Sequence, residues 1–193
     1  MLDVASPLTG HMAVHILAMN VAAPLTILAV RSLMPAHSHG SACQGIATAT
    51  MVQLVVLWGW HSPPALQFAL VSTAGSLAMQ LSLLLSALWF WLCVMSAAKA
   101  SRWRALLALL ATGKLFCLLG VLLTFAPRPL YPVIAGKHAH LGAALSDQQL
   151  AGLLMLVACP LTYVVAGVVI AALWILENQD NGHALATNDA GKQ

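Results

Sequence analysis

Five long apolar runs, at about 11–30, 45–60, 74–98, 105–126 and 149–176, alternate with short polar breaks. Each run is close to the roughly 20 apolar residues that a bilayer-crossing helix requires. The pattern therefore predicts an all-α fold, a polytopic membrane helix bundle of about five transmembrane helices. The breaks carry turn chemistry. Pro, Gly and His punctuate residues 35–41, and Lys99 to Arg104 form a basic link. Ser62-Pro63-Pro64 ends the second run, because proline lacks the amide donor and disfavours helix just before it. Pro127-Arg128-Pro129 opens the longest internal loop. Residues 1–176 read as one membrane-embedded helical domain and residues 177–193 as a polar, frayed tail.

Composition sharpens this reading. Of 193 residues, 61% are hydrophobic and only 7% charged, against about 25% charged in a soluble domain. So few charges cannot coat a soluble globule, and so apolar a chain is not disordered. A net charge of +3 with no Lys/Arg-rich run argues for no nucleic-acid partner and leaves membrane lipid as the surrounding phase. The first ten residues contain no Lys or Arg, so the first run reads as a retained span and not as a signal peptide. Cys43, Cys93, Cys117 and Cys159 include no CxxC pair; three of them sit within apolar stretches and read as small hydrophobes, and the set does not read as a disulfide framework or zinc site.

Basic residues set the expected orientation. With five spans, one side carries Arg31, Lys99, Arg102, Arg104 and Lys192, and the other only Arg128 and Lys137. The N-terminus is then outside and the C-terminus cytoplasmic. On that topology the polar residues of four spans share the outer face: His11, Met12 and His15 on span one, His61 after span two, Met79 and Gln80 on span three, and Asp147, Gln148 and Gln149 on span five. His11, His15 and Met19, spaced i, i+4, i+8, form a drifting stripe on one helix face. Imidazoles and thioethers are the donors that suit copper(I). His11, His15 and His61, with Met12, Met19 and Met79, are thus candidate metal ligands. Asp147, Gln148 and Gln149 are candidates to orient a ligand imidazole from behind. The plainer reading stands beside this one. A His near a helix end can sit in the interface, Met19, Met51 and Met95 can be core, and Trp58, Trp60, Trp89 and Trp91 fit an aromatic belt as well as a site.

Lys114 lies near the middle of span four, where an ammonium either pairs with a polar or anionic group or snorkels. His37 and His39, and His138 and His140, read as solvated loop residues, the outer pair suiting transient metal capture better.

The stretches His11-Met12-x-x-His15-x-x-x-Met19, Ala23-Pro24-Leu25, Trp60-His61-x-Pro63, Leu123-Thr124-Phe125-Ala126-Pro127, Leu130-Tyr131-Pro132 and Asp147-Gln148-Gln149-Leu150-Ala151-Gly152 resemble the CtaG family, the multi-span caa3-type cytochrome c oxidase assembly factors. The resemblance implies a bacterial inner-membrane protein that helps assemble a heme–copper oxidase, acting with its subunits in copper provision. It maps the family's histidines onto His11, His15 and His61 and its acidic residue onto Asp147. Where family members carry a histidine near the start of the third span, this chain has Ala78-Met79-Gln80, so that either Met79 is a softer substitute or this ligand is missing.

Three functions follow as expectations. The first is a copper(I)-handling assembly factor that passes the ion to an oxidase subunit by ligand exchange and is not an enzyme. An exposed rim site with two or three His/Met ligands would suit such transfer. The second is a b-type heme electron carrier, with His61 paired to His11 or His15. The third is a metal-free scaffold for oxidase subunits.

Overall fold

The computed structural model describes residues 7–33, 45–131 and 141–190, and within them every long element is helical. Four helical stretches are long and apolar enough to cross a membrane, Leu8–Leu33, Thr73–Met95, Lys99–Phe125 and Gly142–Gln179, and Ile46–Trp60 is a shorter apolar helix. These five correspond in order to the five apolar runs, as a helical membrane bundle requires. His37, His39, His138, His140, Lys137, Lys192 and Cys43 lie outside the described residues.

In detail, helix α1 (Pro7–Ile16) passes through a π-helical turn (Leu17–Ala22) into α2 (Ala23–Leu33). Then follow α3 (Ile46–Trp60), α4 (Pro63–Val71), α5 (Thr73–Met95), a 3₁₀ turn (Lys99–Ser101), α6 (Arg102–Phe125) and α7 (Leu141–Ala190). Two boundaries depart from expectation. Pro63 and Pro64 do end α3, yet they also occupy the first positions of α4, where a missing N–H costs nothing. The expected link is therefore a short helix, and Ser72 turns the chain back by accepting a hydrogen bond from Gly75 N at the start of α5. Helix α7 begins at Leu141, not near 149, and its backbone is helical to Ala190, past the expected end of the span at Leu176.

The longest interface joins α6 to α7. Gly120 and Gly152 bring the two backbones together: a Cβ on Gly152 would fall 2.5 Å from Thr124 Oγ1 and 2.7 Å from the Gly120 carbonyl. Small residues at such crossings let helices approach where lipid supplies no hydrophobic drive between them. An aromatic cluster of Phe90, Trp91, Phe116 and Tyr163 fills the centre, with Trp91 stacked on Tyr163 at 5.6 Å between ring centroids. Trp91 is thus core, not belt, whereas Trp89 faces outward. Met51 is exposed and not core.

The two ends of the bundle differ in chemistry. At one end Arg31 donates to Ser96 Oγ, Lys99 to the Glu177 carbonyl, and Arg102 pairs with Glu177 at 2.8 Å. Cys93, near this end, is disulfide-bonded, which corrects the reading of the cysteines as unpaired; Cys117 and Cys159 are free thiols. The histidines gather at the other end.

Gly152→Leu should force α6 and α7 apart and cost at least about 1–3 kcal/mol of stability. Its unfolding midpoint in detergent should drop clearly, while Gly142→Ala, where a Cβ meets open space and alanine is the better helix former, should hold or raise it.

Candidate metal centre

Helix α1 and the π-helical turn after it present Leu8, Met12, His15 and Met19 to the bundle, all buried. Their spacing of four, three and four residues follows one helical face. His11 lies on the flank and is half-buried. Its Nε2 is 2.8 Å from His15 Nε2, so one of the two rings donates to the other. His61 reaches the same place from the junction of α3 and α4, its ring centroid 6.0 Å from that of His15. The three histidines that are separated along the chain do converge.

The donor assignments at His61 are set by its neighbours. Its Nδ1 lies 2.7 Å from the Leu57 carbonyl oxygen, which can only accept, so Nδ1 carries the hydrogen. Its Nε2 then presents a lone pair, 3.3 Å from Met12 Sδ. Burial pushes the His61 imidazole down to about 4, so the ring is neutral at physiological pH, the form a metal ion takes. His15 Nδ1 is buried with no hydrogen-bond partner, although the Gln80 side chain of α5 lies beside the ring. A small cavity touches Met12, His15, Met19, Asn20, His61, Met155 and Cys159. Met79 is fully buried on α5 but does not line it. Among the described residues, no three His, Cys, Asp or Glu side chains stand close enough to form a metal cage.

The site is enclosed, not an exposed rim. Tyr131, in the segment after α6, is buried and donates its hydroxyl to the His61 carbonyl at 2.7 Å; burial raises its phenol to about 12, so this donor keeps its proton. Gln148 holds the segment in place. Its Oε1 accepts from Leu130 N and its Nε2 donates to the Leu123 carbonyl at the end of α6. Gln148 is thus a strut for the cover of the site. Gln149 is exposed and turned away. Asp147 has a third role: its carboxylate accepts from Leu8 N and Thr9 N at 3.0 Å each and from Thr9 Oγ1 at 2.6 Å. Those amides are the free donors of the first turn of α1, so α7 caps α1 across 138–139 residues of chain.

Sequence reasoning missed Asn20, Tyr131, Met155 and Cys159. A signal for the α7 pair was available, since Asp147, Ala151, Met155, Cys159 and Tyr163 recur every four residues and all are buried. Asn20 had none. It faces inward from the π-helical turn, whose Met19 carbonyl accepts from Trp91 Nε1 at 2.9 Å.

The profile of the cytochrome c oxidase caa3 assembly factors (Caa3_CtaG) matches residues 5–177. The chain belongs to this family. The match covers every span and the whole histidine cluster. No curated relative and no solved structure matches the chain. Family membership makes this membrane protein an assembly factor for cytochrome c oxidase.

Asp147→Ala should leave the first amides of α1 uncapped and cost about 1–3 kcal/mol. Asp147→Asn, whose amide oxygen still accepts, should cost less. Unfolding midpoints, with hydrogen exchange at Leu8 and Thr9, measure both. Equal loss in the two variants would mean that charge, not capping, is what α1 needs.

Proposed function

We propose that this assembly factor carries copper(I) as cargo, taking it at the histidine end of the bundle and handing it to an oxidase subunit by ligand exchange. One observation carries the reading: His61 Nε2 faces Met12 Sδ at 3.3 Å while His61 Nδ1 is committed to the Leu57 carbonyl. Two acceptor atoms then face each other with no hydrogen between them. A soft cation is the species that satisfies both, and a nitrogen with a thioether is a donor set that suits copper(I). His11, half-buried, is the group an arriving ion meets first. His15 stands between it and the His61–Met12 pair. Two or three donors bind such an ion without caging it, as release to a partner requires. Copper is bound and passed on with no substrate bond made or broken, so this function is not enzymatic.

The b-type heme reading finds less support. The cavity between His15 and His61 has about 10 Å³ of space for a water-sized occupant, and a porphyrin between these rings would need the helices to separate.

Copper titration of the purified protein against a chromogenic copper(I) chelator tests the proposal. Losing even a group behind a metal ligand typically costs about 10–100-fold in affinity, so His61→Ala and Met12→Leu should each weaken binding at least tenfold. If the His11, His15 and His61 triple alanine variant still binds copper(I) as wild type does and supports an oxidase of full copper content, the scaffold reading replaces this one. A Soret band with about one heme per chain would favour heme.

We further propose that the histidine end faces the periplasm of a bacterial inner membrane and the basic end the cytoplasm, on the distribution of Arg and Lys. The Cys93 disulfide at the basic end is the opposing observation, because cytoplasmic thiols are normally kept reduced. Reporter fusions decide between them: a periplasm-dependent reporter should be active on the N-terminus and silent on the C-terminus, and the reverse pattern inverts the assignment.

A further inference from the structure

Lys114 has no role in the histidine site, and its setting is unusual. It stands twelve residues into α6 (Arg102–Phe125), about 18 Å from the start of that helix at 1.5 Å per residue and so near the middle of the bilayer. It is exposed on the outer surface of the bundle, and among the described residues it makes no ion pair. Its stem is too short to bring the ammonium to either interface from that depth. A charge held in hydrocarbon is costly, and such residues normally face a partner group.

Among the described residues no acid stands at that depth to serve as the partner. The chain's acidic residues are Asp3, Asp147, Glu177, Asp180 and Asp189. Asp3 precedes the first helix. Asp147 caps α1 at the histidine end, and Glu177 pairs with Arg102 at the other end. Asp180 and Asp189 lie further along α7 beyond Glu177. A second copy of the chain brings the same acids at the same depths.

Lys114 also lines an apolar groove of about 500 Å³ between α6 and α7, with Gly113, Cys117, Pro160 and Gly167 among its walls. A Cβ on Gly113 would make an ordinary contact with Tyr163 at 3.5 Å. At Gly167 there is open space, and a Cβ there would meet nothing within 4 Å. Glycine inside a helix costs stability relative to alanine, and no internal packing explains it. A small residue facing an open groove is what close approach of another membrane helix uses.

We infer that the α6–α7 groove docks a transmembrane helix of an oxidase subunit that carries an Asp or Glu at mid-bilayer depth, its carboxylate paired with Lys114 and its backbone passing over Gly167. The partner's enzyme follows from the family; the charge and the depth follow from Lys114. The proposal does not depend on copper binding.

A photo-crosslinking amino acid at Val164, an exposed groove residue, tests this in the full chain in cells assembling the oxidase. Mass spectrometry should find an adduct on a transmembrane helix of an oxidase subunit bearing a mid-depth acid. Lys114→Met should reduce that adduct at least tenfold and Lys114→Arg should retain it, with both variants eluting as wild type and binding copper(I) as wild type does. Replacing the acid of the crosslinked helix by Lys should abolish the adduct, and pairing that change with Lys114→Asp should restore it. Adducts confined to lipid, to a second copy or to a helix without an acid would overturn the proposal, as would an adduct indifferent to Lys114→Met. Unchanged copper affinity in the histidine variants would sink the copper reading and leave this one standing.

Discussion

The carboxylate of Asp147 against the first turn of α1 is the contact on which the histidine end depends. The first amides of a helix have no partners inside it, and in a bundle surrounded by lipid an unpaired amide is expensive. Asp147 accepts two of them and takes a third hydrogen bond from Thr9 Oγ1. The negative charge in turn lies at the positive end of the α1 dipole. Each group solves the other's problem, and the result locks α1 to α7. Because α7 packs along α6, the whole α6–α7 pair is held against the helix that bears Met12 and His15.

Around that lock, polar groups act as positioning devices more than as an exposed binding rim. The Leu57 carbonyl fixes which nitrogen of His61 holds the hydrogen. Tyr131 anchors the His61 backbone, and Gln148 anchors the segment that carries Tyr131. Asp147 and Gln148, which the sequence suggests as groups orienting a ligand imidazole, instead hold the helices and the cover in place. The site is buried as a consequence. Burial keeps His61 neutral and its Nε2 lone pair available, the form that the proposed copper(I) capture needs.

The same scarcity of charge that makes this chain a membrane protein makes each charge informative. Arg102 and Glu177 close one end, Asp147 the other, and among the described residues Lys114 has no counter-charge at its depth. In the proposed function one side of the bundle takes a small soft ion, and in the proposed docking another side takes a helix. An assembly factor that carried such a cargo would need both, to hold the ion and to be held beside the subunit that receives it.

The number, order and approximate limits of the spans follow from apolar runs, because lipid imposes a length and a hydropathy on every crossing helix. The convergence of His11, His15 and His61 at one end was legible too, since spans alternate in direction and depth along each span can be counted. The family was legible in the Asp-Gln-Gln-Leu-Ala-Gly and His-Met-x-x-His blocks. Rotation about each helix axis was not. Lipid-facing and core-facing positions are both apolar in this chain, so hydropathy cannot say that Trp91 and Phe116 point inward while Met51 and Val157 point outward. Only the packing of one helix on another decided that. It also decided that Asp147 serves a helix terminus 139 residues away and that Met12, not Met79, meets His61.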